Sequence, residues 1–179
     1  MKSVFKEILN TSIYLLIVLI LTFLVIKYVG QRTEVNGASM EPTLHHGDNL
    51  IVDKISYRLR DPERFDIVVF PFEHEQETYF IKRIIGMPGE EVRIDEDGVI
   101  YIDGKELNES YGKEVIQDPG LALETIELGD DEYFVLGDNR NNSTDSRSSL
   151  VGNLHRRELI GRAWVRIYPF DQMEVIKHQ

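Results

Sequence analysis

The chain has no cysteine among its 179 residues. That excludes disulfides, thiolate zinc sites and a thiol nucleophile, and leaves the redox compartment open. Basic charge is also scarce: 20 Lys and Arg stand against 31 Asp and Glu, a net of −11. Phosphate backbones are gripped by clustered Lys and Arg, so nucleic acid is not an expected partner. The acidity reads as solubility. It is uneven, because residues 1–32 carry Lys2, Lys6, Lys27 and Arg32 against Glu7, a net of +3, which leaves −14 for the remainder. There is no Gly-rich phosphate loop, no internal repeat and no low-complexity tract. His45 and His46 are adjacent, without a carboxylate or further histidine at ligand spacing, and read as a solvated turn. His74, His155 and His178 are scattered. No metal and no cofactor are expected.

What the chain does have is one long apolar run. Residues 8–26 hold no charge and are dominated from Ser12 onward by Ile, Leu and Val. As a helix that run is ~28 Å long, close to the ~30 Å hydrocarbon core of a bilayer. A cleavable signal peptide usually has a shorter apolar region and a small-x-small cleavage site. Here Lys27-Tyr28-Val29-Gly30-Gln31-Arg32 follows instead, which favours an uncleaved anchor. With Lys2 and Lys6 before the run and Lys27 and Arg32 after it, charge leaves the orientation open. No second run of this kind follows. The expected division is a short tail over residues 1–7, a transmembrane anchor over 8–28 and one domain over 29–179.

The domain reads as mostly β. Residues 50–52, 66–70 and 79–85 are β-branched and aromatic runs bounded by Gly, Pro and Asp. Residues 91–94 and 99–102 flank Asp95-Glu96-Asp97-Gly98 as a hairpin, and Asp103-Gly104 supplies another turn. Residues 133–136, 163–167 and 173–176 complete the strands, and 156–160 suits a short helical turn. Residues 108–129 are polar and unpatterned, part of a small β/loop excursion expected over about 95–130.

Three blocks carry the chemistry. The first is Gly37-Ala38-Ser39-Met40-Glu41-Pro42-Thr43-Leu44. Gly37 and Ala38 leave room for a substrate backbone beside Ser39, although a serine needs a neighbouring base to act as a nucleophile. The second, Tyr79-Phe80-Ile81-Lys82-Arg83-Ile84-Ile85-Gly86, places Phe80, Lys82 and Ile84 on one strand face and Ile81, Arg83 and Ile85 on the other. A lysine acts as a base only when burial among apolar groups lowers its pKa far below ~10.4. The third runs Gly137-Asp138-Asn139-Arg140-Asn141-Asn142-Ser143-Thr144-Asp145-Ser146-Arg147 and crowds donors and acceptors into a loop able to orient an amine. Singly, each block also fits a turn, a surface strand or a polar loop. Asn141-Asn142-Ser143 and Asn142-Ser143-Thr144 match a glycosylation sequon, read as coincidence.

In this order behind an apolar run, the blocks resemble bacterial type I signal peptidases, membrane-bound enzymes that remove signal peptides from exported proteins. The resemblance implies that Ser39 is the nucleophile and Lys82 the general base. Ser143 would bond the lysine amine, Asp145 and Arg147 would hold the loop, and Arg83 would be structural. It implies a Ser39 backbone oxyanion hole without a hydroxyl at Gly37. Val35, Gly37, Met40, Phe80 and Ile81 would form small pockets for the −1 and −3 side chains of an Ala-x-Ala site. It further implies an antiparallel, coiled-β-barrel-like domain outside the bacterial cell membrane, with the N-terminus in the cytoplasm. Partners would be preproteins, membrane lipid and the secretion machinery. Two positions depart from the family pattern: Phe65 stands where Gly usually precedes Asp66, and Ser148-Ser149-Leu150-Val151 intervenes before Gly152. A self-cleaving repressor-type Ser–Lys protease would carry a DNA-binding module instead of an anchor, and eukaryotic-type relatives carry His in place of the lysine. The reading of another class is a catalytically silent, membrane-tethered β domain that binds partners.

Overall fold

The computed structural model describes residues 2–72, 75 and 78–177, so His74 and His178 lie outside the described residues. Helix α1, Lys2–Tyr28, holds the apolar run, and its 19-residue stretch Lys6–Leu24 has no buried residue; at its C-terminal end the Arg58 guanidinium stands over the Tyr28 ring at 5.0 Å. An unburied apolar helix of that length matches a bilayer span.

The chain then enters β1, Gly30–Glu34, which pairs antiparallel with β2, Asn49–Asp53. A short helix, α2 (Ser56–Leu59), leads to β3, Ile67–Pro71, and β4, Tyr79–Gly86. These runs are almost wholly buried because both faces of the sheet are covered. On β3, Val69 faces one apolar cluster with Val35, Met40, Leu50, Val52 and Ile81, while Val68 and Phe70 face another with Ile84 and Val135. Continuous burial explains why the sequence shows unbroken apolar runs there rather than alternation.

A second, smaller sheet follows: β5 (Glu91–Ile94), β6 (Ile100–Ile102), β7 (Lys105–Glu106) and β8 (Ile126–Glu127), in the order β7-β6-β5-β8. The sequence-read hairpin is its nucleus, with Val92 opposite Ile102 and Ile94 opposite Ile100. It therefore begins at Glu91, ahead of the expected excursion boundary near 95. Its apolar face packs on Ile85, Phe134 and Leu136 of the first sheet. Residues 90–132 hold 15 of the 31 acidic residues and 3 of the 20 basic ones, so the acidity of the chain sits on this sheet. The sheet that carries the site is left near charge balance.

The chain returns through β9, Glu132–Leu136, β10, Leu154–His155, β11, Gly161–Tyr168, and β12, Glu174–Val175. The large sheet runs β1-β2-β11-β3-β4-β9-β10, with β12 on β11. The path is open, and barrel-like closure through hydrogen bonds between β1 and β10 is not made among the described residues.

Candidate active site

The first block is shaped by the end of the β1–β2 hairpin. Past Glu34 the ladder continues for two backbone bonds, Val35 N–H to Asp48 O at 2.8 Å and Gly47 N–H to Val35 O at 2.9 Å. Next, Gly37 N–H donates to Nδ1 of His46 at 3.3 Å, so an imidazole stands where a ladder carbonyl would fall. Gly37 has φ +96°, a conformation that favours glycine. The chain then turns through Ala38, Ser39 and Met40, closed by Glu41 N–H to Ala38 O at 3.2 Å. Met40 is driven into the core, which leaves Ser39 displayed at its edge.

His46 is exposed, as expected of a solvated turn, but its contact with Gly37 was not legible in the sequence. A single such bond is worth about 0.5–1.5 kcal/mol. His46→Ala is expected to lower kcat/KM roughly threefold, mostly through KM. His46→Asn should restore it, because Oδ1 of Asn takes the place of Nδ1. Steady-state cleavage kinetics of the two variants check this, and equal losses in both would discount the bond.

Lys82 lies in β4 opposite Val68, on the Phe80 face as its alternation predicts. Its Nζ donates to Ser39 Oγ at 2.8 Å and to Ile81 O at 3.0 Å, and sits 4.9 Å from the Phe80 ring centroid. The side chain is almost sealed, the residue being 3% exposed. Burial therefore pulls its pKa down to about 8, against the nearby charges of Asp145 and Asp138, which favour the ammonium. Desolvation wins, and the amine is poised near neutral pH.

The third block closes over these two residues where β9 ends. A Cβ at Gly137 would lie 2.5 Å from Ser39 O and 2.3 Å from Ser143 Oγ, so only glycine permits the approach. Asn139 ties the blocks together, its N–H donating to Ser39 O and its Nδ2 to Ala38 O, both at 3.0 Å. Arg83 meets Asp138 through two bonds, Nε to Oδ1 at 2.8 Å and Nη2 to Oδ2 at 2.7 Å, with both side chains buried. Thr43 Oγ1 donates to the same carboxylate, and the Tyr111 ring covers the guanidinium at 3.7 Å. Asp145 pairs with Arg147 through two bonds of 2.9 Å and accepts the Gly137 N–H at 3.1 Å. Ser143 is the exception. Its Oγ is buried beside Gly137 and has no hydrogen-bond partner among the described residues, so the bond expected to the lysine amine is not made.

Of the two departures from the family pattern, Phe65 matters more. It holds φ +71°, a left-handed conformation costly for a bulky residue. Its backbone is pinned by Phe65 N–H to Ile84 O at 2.8 Å and by Arg83 Nη1 to Phe65 O at 3.0 Å, and its ring packs on Tyr111. Gly152 ends a turn at φ +61°, its N–H bonded to Ser148 O.

Ser39 and Lys82 open onto a groove of about 490 Å³. Val35, Gly37, Met40, Phe80 and Ile81 all line it, with Ser143 at the catalytic end. Two unpaired strand edges flank it. Among the described residues β1 pairs only with β2, and β9 joins β4 only from Arg83 onward, which leaves residues 79–82 open on that side. Open edges of this kind take up an extended peptide by main-chain hydrogen bonding. Among the described residues no cluster of His, Asp and Glu fits a metal ion.

A β domain on an exposed apolar helix, with a serine hydroxyl against a buried amine beside a peptide-sized groove, has the architecture of a membrane-anchored serine endopeptidase. The chain belongs to the signal peptidase family, peptidase S26, whose model matches residues 8–168. It is 45% identical over 154 residues to the Synechocystis protein named "Probable signal peptidase I-2", covering 83% of this chain and 68% of that protein. It is 38% identical over 170 residues to signal peptidase I P of Bacillus subtilis subsp. natto, covering 91% and 90%. A solved signal peptidase I from Enterococcus faecalis V583 is 33% identical, with a TM-score of 0.48 over 57% of this chain and 97% of that one.

Proposed function

We propose that the protein removes N-terminal signal peptides from exported preproteins by a Ser–Lys mechanism, cleaving after a small residue. The observation that carries the mechanism is the 2.8 Å approach of Lys82 Nζ to Ser39 Oγ, with the pKa of the amine lowered to about 8. In its neutral form Lys82 accepts the Ser39 proton as Oγ bonds to the scissile carbonyl carbon. The oxyanion takes the Ser39 N–H, which no hydrogen bond occupies among the described residues. The lysine then protonates the leaving amine as the C–N bond breaks. Water attacks the acyl-serine, Lys82 takes its proton and returns it to Ser39 Oγ as the acyl C–Oγ bond breaks, and the signal peptide leaves with a free C-terminal carboxylic acid. Asp145 and Arg147 hold the loop and Arg83 braces it. The small −1 and −3 side chains lie against Val35, Gly37, Met40, Phe80 and Ile81.

In this reading residues 1–7 are a cytoplasmic tail, 8–28 the anchor and 29–179 the domain outside the bacterial cell membrane. There it meets preproteins leaving the secretion machinery, in contact with membrane lipid.

Cleavage of a preprotein with an Ala-x-Ala site in lipid vesicles tests the reading. kcat/KM should climb about tenfold per pH unit below the lysine pKa and level off above it, near pH 8. A flat profile between pH 6 and 9 would remove Lys82 as the base.

A further inference from the structure

The groove does not end at Thr33 and Tyr79. These two residues also line a second, smaller cavity of about 100 Å³, at the end of the groove away from Ser39. Val52, Val69 and Ile160 line it as well, together with Gln31 and Lys54, whose side chains bond to each other. Val52 and Val69 belong to the buried cluster that contains Val35, Met40 and Ile81, so one apolar layer underlies groove and cavity alike.

Position along the strands sets the distance from the chemistry. Tyr79 precedes Lys82 by three residues on β4, roughly 10 Å at ~3.4 Å per residue. An extended peptide with its scissile carbonyl at Ser39 crosses that span in about three residues. Alternate side chains face the same way, so those at −1, −3 and −5 turn to the floor together, and −5 is the first to pass Tyr79. The anchor gives the direction. β1 starts at Gly30 directly after α1, and Lys54 N–H bonds Val29 O at 3.0 Å, so the cavity lies on the anchor side of the groove. A substrate whose own apolar segment occupies the same bilayer approaches from that side.

We propose that this cavity is a further subsite that takes a small aliphatic side chain at −5 of the substrate. The inference rests on the signal-peptide reading above. The volume is about that of three waters in the liquid, enough for a short branched side chain. Val52 and Val69, which are 1% and 3% exposed and locked in the core, limit how deep a larger ring can enter.

The experiment uses the full chain in lipid vesicles and one preprotein with Ala at −1 and −3. Position −5 is varied among Ala, Val, Phe and Trp, with a −1 Ala-to-Leu substrate as the control. Ala and Val at −5 should give kcat/KM about tenfold above Phe and Trp. Ile160→Ala enlarges the cavity and should shift the preference toward Phe; Ile160→Val replaces it should the alanine variant unfold. Equal cleavage of all four substrates, with the −1 Leu control uncut, would overturn the subsite and leave the signal-peptide reading standing. A −5 preference that neither Ile160 variant alters would overturn its assignment to this cavity. No cleavage of any substrate would overturn the underlying reading, and the subsite with it.

Discussion

Replacing Lys82 with methionine is expected to abolish cleavage and at the same time make the protein more stable. Loss of the base should reduce kcat by at least ~10³-fold, and Ser39→Ala should do the same. Because the two groups act as a unit, the double variant should be no worse than either single one. The stability gain comes from the cost of burying the ammonium. A pKa lowered from 10.5 to about 8 corresponds to about 3 kcal/mol held against the folded state at neutral pH. Below pH 8 both folded and unfolded chains carry the proton, and the fold bears the whole cost. Between about pH 8 and 10.5 the folded chain has released the proton while the unfolded chain keeps it, so stability rises with pH. Methionine removes the charge and fills similar space, so its advantage should be largest near pH 7 and shrink toward pH 10. Thermal unfolding of parent and Lys82→Met across that range is the measurement. A variant less stable than the parent at pH 7 would contradict the account of the lowered pKa.

Asp138→Ala should produce the largest loss of stability. It leaves the Arg83 guanidinium, 0% exposed, without its two charge-assisted bonds and takes away the carboxylate to which Thr43 Oγ1 donates. Breaking a buried pair from one side typically costs about 3–5 kcal/mol. For a domain of this size that lowers Tm by roughly 10 °C. Activity should fall with it, because Asp138 adjoins Asn139, whose bonds hold the Ser39 turn. The double variant Arg83→Met, Asp138→Leu should recover most of the stability, since the stranded charge and not the missing bond dominates the loss. Unfolding curves of the single and double variants decide the point. A single-variant loss under about 1 kcal/mol would show that water reaches the guanidinium past Tyr111.

Most of the strands that sequence reading found have buried side chains; β12, found within residues 173–176, is exposed at both positions. β2, β3, β4 and β9 are rich in β-branched or aromatic residues, and the Asp95–Gly98 turn marks the hairpin of the second sheet. β1 was missed because Gly-Gln-Arg-Thr-Glu has no apolar alternation; it is an edge strand that exists through its pairing with β2. β7, β8 and β10 are two residues each, too short for any periodicity. The residues of the site were legible as motifs, but their contacts were not. His46 gave no signal because an exposed histidine in a turn looks the same whether or not its ring accepts a backbone N–H.

The sequence by itself determined the apolar segment long enough for a bilayer, the β class of the domain, and the order of a serine, a lysine and a polar loop. Each of these is a local property, set by composition, length or the period of side chains along one strand. Only the tertiary structure brought Ser39 within 2.8 Å of Lys82, 43 residues away, seated Ser39 O against Gly137 and left two strand edges open beside them. It alone set the pKa of the lysine. Desolvation depends on every group packed around the amine, and those groups come from the turn after β1, from β4 and from the loop after β9, which no stretch of sequence contains together.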